Sequence, residues 1–573
     1  MIRRFAVAAA CFALGLSACG EEPGAPDPVA DPALSRMVTG GEIVGYGDAE
    51  AGANVWLGVP FAAAPHGANR WRAPQPVEPW RGARETIRHA APCPQITNAL
   101  NAEATGTEPG QLAGSEDCLY LDVYAPAGEG EGRPVMVWIH GGANVWGSAN
   151  QYDGAQLAAD RDVVVVVVQY RLGPLGFFAH PALEEGENLV EAGDSAPNRS
   201  GAANFALLDQ IAALDWVREN AAAFGGDAGN VTIFGESAGG HNVAGLLASP
   251  LAEGLFHRAI IQSGITDTVS LADARDGSDT AAIPAARRFT GVEAPSEADL
   301  RAAPVQAVYD AYAGDEGLLD LPRMIADGVT IPEGGILEAL ASPETFNAVP
   351  VITGTNRDEM KLFNILDPDL TSRWFGVIIR TPDPEFFEAA SEYQSRLWRA
   401  LAVDELSQTL SEGGHGAVYA YRFDWDEGGR LAFMDLGRLL GAAHAMEIPF
   451  VFNHFEFFGR LDPALFNDSN ADGRAALAEA MGAYWSEFAR TGDPGDAGGP
   501  DWPAWRDEGA LLRFDTPGDG GIEMIEGRET LAQIAVDLSA DARLTPEQRC
   551  FIFERLVTWR DSVTELGAPL QCG

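Results

Sequence analysis

The sequence predicts the α/β class: a central, mostly parallel β-sheet flanked by helices, with helical insertions capping one edge. Three observations carry that expectation. Strand-like and helix-like stretches alternate along the chain, the pattern of strand–helix–strand units in a parallel sheet. Residues 163–168 are six consecutive valines, and so short a β-branched run reads as a strand buried on both faces. Finally, residues 231–234 (VTIF) lead through Gly235, Glu236, Ser237, Ala238 and Gly239 into a helix-compatible stretch at 242–248. That is a strand, a sharp turn and a helix in order.

Taken along the chain, the first strands fall at 41–46 and 55–59, followed by a turn-rich stretch at 60–95. Strands at 119–124, 135–139 and 163–170 come next, then a helix over 205–220 with apolar residues at helical spacing. After the turn around Ser237, strands are expected at 258–262, 349–353 and 418–423, and a late helix at 475–490. Residues 265–345 and 365–412 are rich in Ala, Asp and Glu at helical spacing and read as the insertions. The chain shows neither an internal repeat nor a second-domain boundary, so 37–573 is expected to be one domain.

Composition narrows the function classes. The 573 residues are 46% hydrophobic and 9% aromatic, as in a folded protein. Against 83 acidic residues stand 38 basic ones, and Lys361 is the single lysine. Phosphate binding needs basic surface, so nucleic acid is excluded as a partner. The N-terminus reads as a targeting segment: Arg3 and Arg4 precede an apolar run at 5–16 that is too short to span a bilayer. Residues 16–19 (LSAC) resemble a bacterial lipobox, which makes 1–18 a lipoprotein signal peptide and Cys19 the lipidated residue. The expectation is an exported protein anchored to a membrane of the bacterial envelope, with a secreted or periplasmic form as the alternative. The Pro- and acid-rich stretch 19–36 reads as a tether. Beyond Cys11 and Cys19, four cysteines remain: Cys93, Cys118, Cys550 and Cys572. An oxidising compartment and an even count point to two disulfides, with 93–118 and 550–572 the simplest of three pairings.

The string at 235–239 has the G-x-S-x-G pattern of a nucleophile elbow, in which a strained turn projects the serine at the carboxyl edge of a sheet. The helix that follows leaves amide donors free for a developing oxyanion. A serine hydroxyl is a weak nucleophile and needs a base, an acid to orient that base, and oxyanion donors. In the α/β-hydrolase chain order the acid follows the serine, and the histidine follows the acid. Of the late histidines, His415 precedes a strand, at the wrong edge for a base, and His454 sits in an aromatic run. His444 follows the strand. After the strand at 349–353 come both Asp358 and Glu359, which position alone does not separate.

Several segments together resemble the type-B carboxylesterase family, which includes cholinesterases and bacterial para-nitrobenzyl esterases. They are 58–61 (GVPF), 115–124 (SEDCLYLDVY), 138–143 (WIHGGA), 170–177 (YRLGPLGF), 208–216 (LDQIAALDW), 224–227 (FGGD), the elbow, 262–264 (QSG), 354–359 (GTNRDE) and His444. They run in family order from about residue 40 to 450. The resemblance implies an α/β-hydrolase fold, with Ser237 as nucleophile, Glu359 rather than Asp358 as acid, and His444 as base. It makes the amides of Gly142, Ala143 and Ala238 the oxyanion donors and puts Glu236 on the wall of the site, where it would bind or steer substrate, with a solvated elbow residue as the alternative. It pairs Cys93 with Cys118, whose loop closure contributes on the order of 3 kcal/mol. No metal or cofactor is implied, and the partner is a small-molecule ester.

Departures from the family bear on substrate. Residues 94–117 lack the aromatic that forms the cholinesterase cation–π platform, so choline esters are not the expected substrates. Asn144 stands where the family has an aromatic, which makes it a candidate substrate-binding residue, and Met360 replaces a glycine after the acid. Two other readings compete with ester hydrolysis. One is a non-catalytic adhesion module on the same fold, which typically lacks a triad residue. The other is hydrolysis of amide, carbamate or lactone bonds through the same acyl-enzyme route.

Overall fold

The computed structural model describes residues 28–98, 101–183, 201–312, 323–374, 378–506, 509–558 and 572. The expected leader, Cys19 and the first half of the tether lie outside them. The folded chain starts before residue 37, however. Asp31 caps a short turn at Pro32–Leu34, Trp56 donates its indole N–H to Leu34 O at 2.9 Å, and Ser35–Val38 pairs antiparallel with Gly41–Val44. A proline-preset turn and a buried tryptophan anchor what composition alone reads as linker.

An eleven-stranded sheet forms the centre. Its strands are β1 (Tyr46–Asp48), β2 (Ala53–Pro60), β3 (Tyr120–Pro126), β4 (Arg133–Ile139), β5 (Val164–Val168), β6 (Gly226–Glu236), β7 (Arg258–Gln262), β8 (Val351–Asn356), β9 (Val418–Phe423), β10 (Leu511–Phe514) and β11 (Glu523–Ile525). They lie in the order β11-β10-β9-β8-β7-β6-β4-β5-β3-β2-β1. From β5 through β4, β6, β7, β8 and β9 to β10 every pairing is parallel, and the two ends of the sheet are antiparallel.

Side chains on these strands alternate between two apolar faces. Val164, Val166 and Val168 of β5, Val135, Val137 and Ile139 of β4, and Val231 and Ile233 of β6 pack into one cluster. Helices α1 (Phe205–Asn220) and α2 (Ala238–Ala248) cover it. Val165, Val167, Met136, Trp138 and Phe234 point the other way, under the long helix Ala471–Thr491. Both faces being covered explains the unbroken hydrophobic strands. A separate cluster joins α3 (Pro384–Arg399) to the C-terminal helices Leu531–Ala540 and Pro546–Val557.

The helix at 205–220 and the strands at 258–262 and 418–423 coincide with expectation. The first expected strand instead splits at Gly45, where a Cβ would collide with Val55 O. Gly41–Val44 enters a small three-stranded sheet and Tyr46–Asp48 the main one. Strands β10 and β11 and both C-terminal helices carry too short or too weak a pattern to be read from sequence. Within the second insertion, α3 continues through a π-helical stretch, Ala400–Glu405, into Leu406–Glu412. Cys93 is joined to Cys118, and Cys550 to Cys572. Among the described residues no helix is long and apolar enough to cross a membrane.

Candidate active site

The parallel strands bring their carboxyl ends into line: Ile139 of β4 pairs with Gly235 of β6, Glu236 with Gln262 of β7, and Gln262 with Gly354 of β8. Everything that follows these strands therefore meets at one edge. Ser237 sits there with φ 59° and ψ −124°, between β6 and α2. Its amide donates to Gln262 O at 2.8 Å and its carbonyl accepts from His241 N. The flanking glycines are required by space. A Cβ on Gly235 would stand 2.6 Å from Ile139 O, and one on Gly239 would run into the same carbonyl.

The loop after β4 folds against this turn. A Cβ on Gly141 would lie 3.1 Å from Ser237 Cβ. Gly142, Ala143 and Asn144 all take left-handed conformations, with φ of 96°, 56° and 58°. Among the described residues, none accepts a hydrogen bond from the amides of Gly142, Ala143 or Ala238. Of these donors Ala238 opens α2, where a helix N-terminus favours an anion, while Gly142 and Ala143 lie in the turn after β4. Among the described residues nine non-glycine residues have positive φ, and Ala143, Asn144, Ser237, Ser263 and Ala445 are five of them. Backbone strain is concentrated at this edge, as at functional sites generally.

Glu359 follows β8 and is wholly buried. Its Oε1 accepts from Ser263 Oγ at 2.5 Å, Thr355 Oγ1 at 2.8 Å and Asn356 N at 2.8 Å. Its Oε2 lies 2.6 Å from His444 Nδ1. Asp358 turns away, to Arg357, Lys361 and the amide of Ala442. Neighbours in sequence thus end in different places, because a residue step in the turn after β8 reverses the side-chain direction. The His444 ring packs against Trp398 of α3 at 4.6 Å and Phe363 at 5.2 Å. His415 contacts Phe346 instead.

Glu236 is buried, which removes the reading of a solvated elbow residue. Its Oε1 lies 3.1 Å from His444 Nε2, yet makes no hydrogen bond, so the N–H direction of Nε2 is not taken by this carboxylate. A third buried carboxylate, Glu447, accepts from Gln262 at 3.1 Å and Asn356 at 2.6 Å. Burial by itself would depress the imidazole, but the fields of Glu236 and Glu359 outweigh it and push His444 up to about 9. Desolvation raises Glu236 well above the usual carboxylate range, and His444 opposes that only in part. Burial, then the charge of Glu359, raises Glu447. Burial thus works against the charged form of both Glu236 and Glu447.

Asn144, the expected substrate-binding residue, is buried and has a partner inside the protein. Its amide pairs reciprocally with that of Asn242 on α2, at 3.2 and 2.8 Å. Sequence reading missed Ser263, Trp398, Glu447 and Asn242. Ser263 and Glu447 lie in or beside segments already singled out, but no spacing rule points to either.

The carboxylesterase family model matches residues 34–375 and 384–526. The chain belongs to the carboxylesterase family. It is accordingly a carboxylic ester hydrolase of α/β-hydrolase fold. It is 33% identical to the para-nitrobenzyl esterase of Bacillus subtilis (strain 168) over 485 residues, covering 81% of this chain and 91% of that protein. To the cocaine esterase of Homo sapiens it is 33% identical over 549 residues, 89% and 91% of the two chains. A solved para-nitrobenzyl esterase superimposes with a TM-score of 0.68 at 30% identity, covering 86% of this chain and 97% of the other. A Geobacillus stearothermophilus carboxylesterase gives the same TM-score and identity over 88% and 99%. In this family member, among the described residues, no group of three or more His, Cys, Asp or Glu side chains is placed to hold a metal ion.

Proposed function

We propose that Ser237, His444 and Glu359 hydrolyse a small-molecule carboxylic ester through an acyl-enzyme. Ser237 Oγ attacks the ester carbon while His444 Nε2 takes the hydroxyl proton. The carbonyl oxygen becomes an oxyanion that the amides of Gly142, Ala143 and Ala238 stabilise. The C–O bond to the alcohol then breaks, and the alcohol leaves with the proton from His444. Water, deprotonated by the same imidazole, attacks the acyl-enzyme and releases the acid and a regenerated Ser237. Glu359 keeps the proton of His444 on Nδ1 and offsets the imidazolium charge as it forms.

The observation that carries the reading is the 2.6 Å contact of His444 Nδ1 with Glu359 Oε2, beside an elbow whose three neighbouring amides are unsatisfied within the described protein. We also propose that the protein is exported and held to the envelope through lipid on Cys19, on the strength of the leader pattern alone. The test is hydrolysis of para-nitrophenyl esters of increasing acyl length by wild type and Ser237→Ala. Turnover is expected in the wild type and to fall by at least about a thousandfold in the variant. Equal turnover in both proteins would remove Ser237 from the mechanism.

A further inference from the structure

Two elements supply the three amides aimed at the oxyanion: the loop after β4 carries Gly142 and Ala143, and α2 carries Ala238. Nothing covalent fixes their separation, and the loop has three consecutive residues in the left-handed region, which L-residues other than asparagine and glycine seldom visit. Such a loop keeps its shape only if its surroundings over-determine it. The turn is closed internally by Val145 N and Trp146 N on Gly142 O at 2.9 and 3.1 Å, and Gly173 N reaches Asn144 O at 2.7 Å. None of these bonds reaches α2. Among the described residues, the hydrogen-bonded tie that does is the Asn144–Asn242 amide pair, with both side chains buried.

We infer that Asn144 and Asn242 are positioning residues for the oxyanion site: their pairing locks the β4 loop to the elbow helix and sets the spacing of the three donors. The inference rests on the serine-hydrolase reading above. Deleting Asn144 leaves Asn242 with its other contact, the Tyr170 hydroxyl, whereas deleting Asn242 leaves the Asn144 amide without its partner and also takes away that Tyr170 contact. Neither side chain contacts substrate in this role. The donors act on charge that develops only in the transition state, so loosening them lowers kcat and leaves KM nearly unchanged. A substrate-contacting Asn144 would do the reverse.

The experiment compares wild type, Asn144→Gly, Asn242→Ala, the double variant and Ser237→Ala on para-nitrophenyl acetate. Glycine at 144 removes the amide while still permitting the left-handed backbone, so strain is not confused with loss of the pair. Each single variant is expected to lose about 10- to 100-fold in kcat, the range for a small misplacement of catalytic groups, with KM within about threefold. The double variant should lose no more than the worse single one, since both remove the same interaction. A trifluoromethyl ketone, which forms a tetrahedral oxyanion adduct on a serine, should bind more weakly by the same factor as kcat falls. Unchanged kcat, additive losses, or a raised KM at constant kcat would each overturn the inference while leaving Ser237 as nucleophile. An inert wild type would overturn both readings. Should Asn242→Ala not fold, Asn144→Gly with the ketone titration decides alone.

Discussion

At the scale of single residues, His444 is governed by the carboxylates around it rather than by its own intrinsic basicity. With His444 as the proposed general base, which must be neutral to accept a proton, activity should rise with pH as His444 loses its proton. Glu236 and Glu359 raise that transition to about 9. Replacing Glu236 with glutamine removes a negative charge 3.1 Å from Nε2, which makes the imidazolium less favourable and lowers its pKa. The acid limb of the kcat/KM profile is therefore expected to move to lower pH, by about a unit or more. A limb that stays put or moves upward would show that Glu236 does not set the base. Ser263 acts one step further out. Its hydroxyl is one of three donors holding Glu359 Oε1. Hydrogen bonds to charged groups are worth about 1.5–3 kcal/mol, so Ser263→Ala should reduce kcat by about tenfold or more and destabilise the fold, as read by thermal denaturation. Unaltered kcat would place the orientation of Glu359 with Thr355 and Asn356 alone.

At the scale of elements, the elbow works because β4, β6 and α2 approach more closely than side chains allow. Gly239 faces Ile139 O and His140 O, both backbone atoms that cannot swing aside. Gly239→Ala is expected to cost at least the roughly 1–3 kcal/mol typical of overpacking, lowering the melting temperature together with activity. Gly47→Ala is the control, since nothing lies within 4 Å of its Cβ position. Equal melting temperatures for the two variants would mean that the elbow is not sterically tight. Helix α3 shows how an insertion becomes part of the site. Its Trp398 packs against the His444 ring at a tilt and donates to Ser263 O at 3.0 Å, so a segment legible only as an acidic helical stretch in fact walls the His444 imidazole. No one-dimensional pattern predicts that packing, because the contact joins residues far apart in the chain.

At the scale of the whole molecule, the two disulfides serve different bodies of the structure. Cys93 and Cys118 lie inside the main core cluster, whereas Cys550 sits on the last described helix, beside the cluster built on α3. Replacing both members of the first pair by alanine should cost on the order of 3 kcal/mol through the lost loop constraint and lower the melting temperature. Replacing Cys550 and Cys572 should lower thermal stability while leaving kcat unchanged, because Ser237 caps α2 and His444 lies in a turn, both outside the C-terminal helices. A fall in kcat with intact folding would show that the C-terminal helices hold α3, and through Trp398 the base, in place.

The sequence by itself determined the class of fold, the elbow and the order of Ser237, Glu359 and His444. Those features rest on local physics: period-2 burial in strands, glycines where a turn leaves no room for Cβ, and motif strings that keep family order. Tertiary structure decided the rest. It set Glu359 against the imidazole and turned Asp358 away from it, brought Glu236 to 3.1 Å from Nε2, and gave Asn144 a partner 98 positions away on α2. Each of these depends on the distance between groups that are remote in the chain. The parallel sheet creates such distances by aligning the carboxyl ends of β4, β6, β7 and β8, and no local pattern in the chain encodes them.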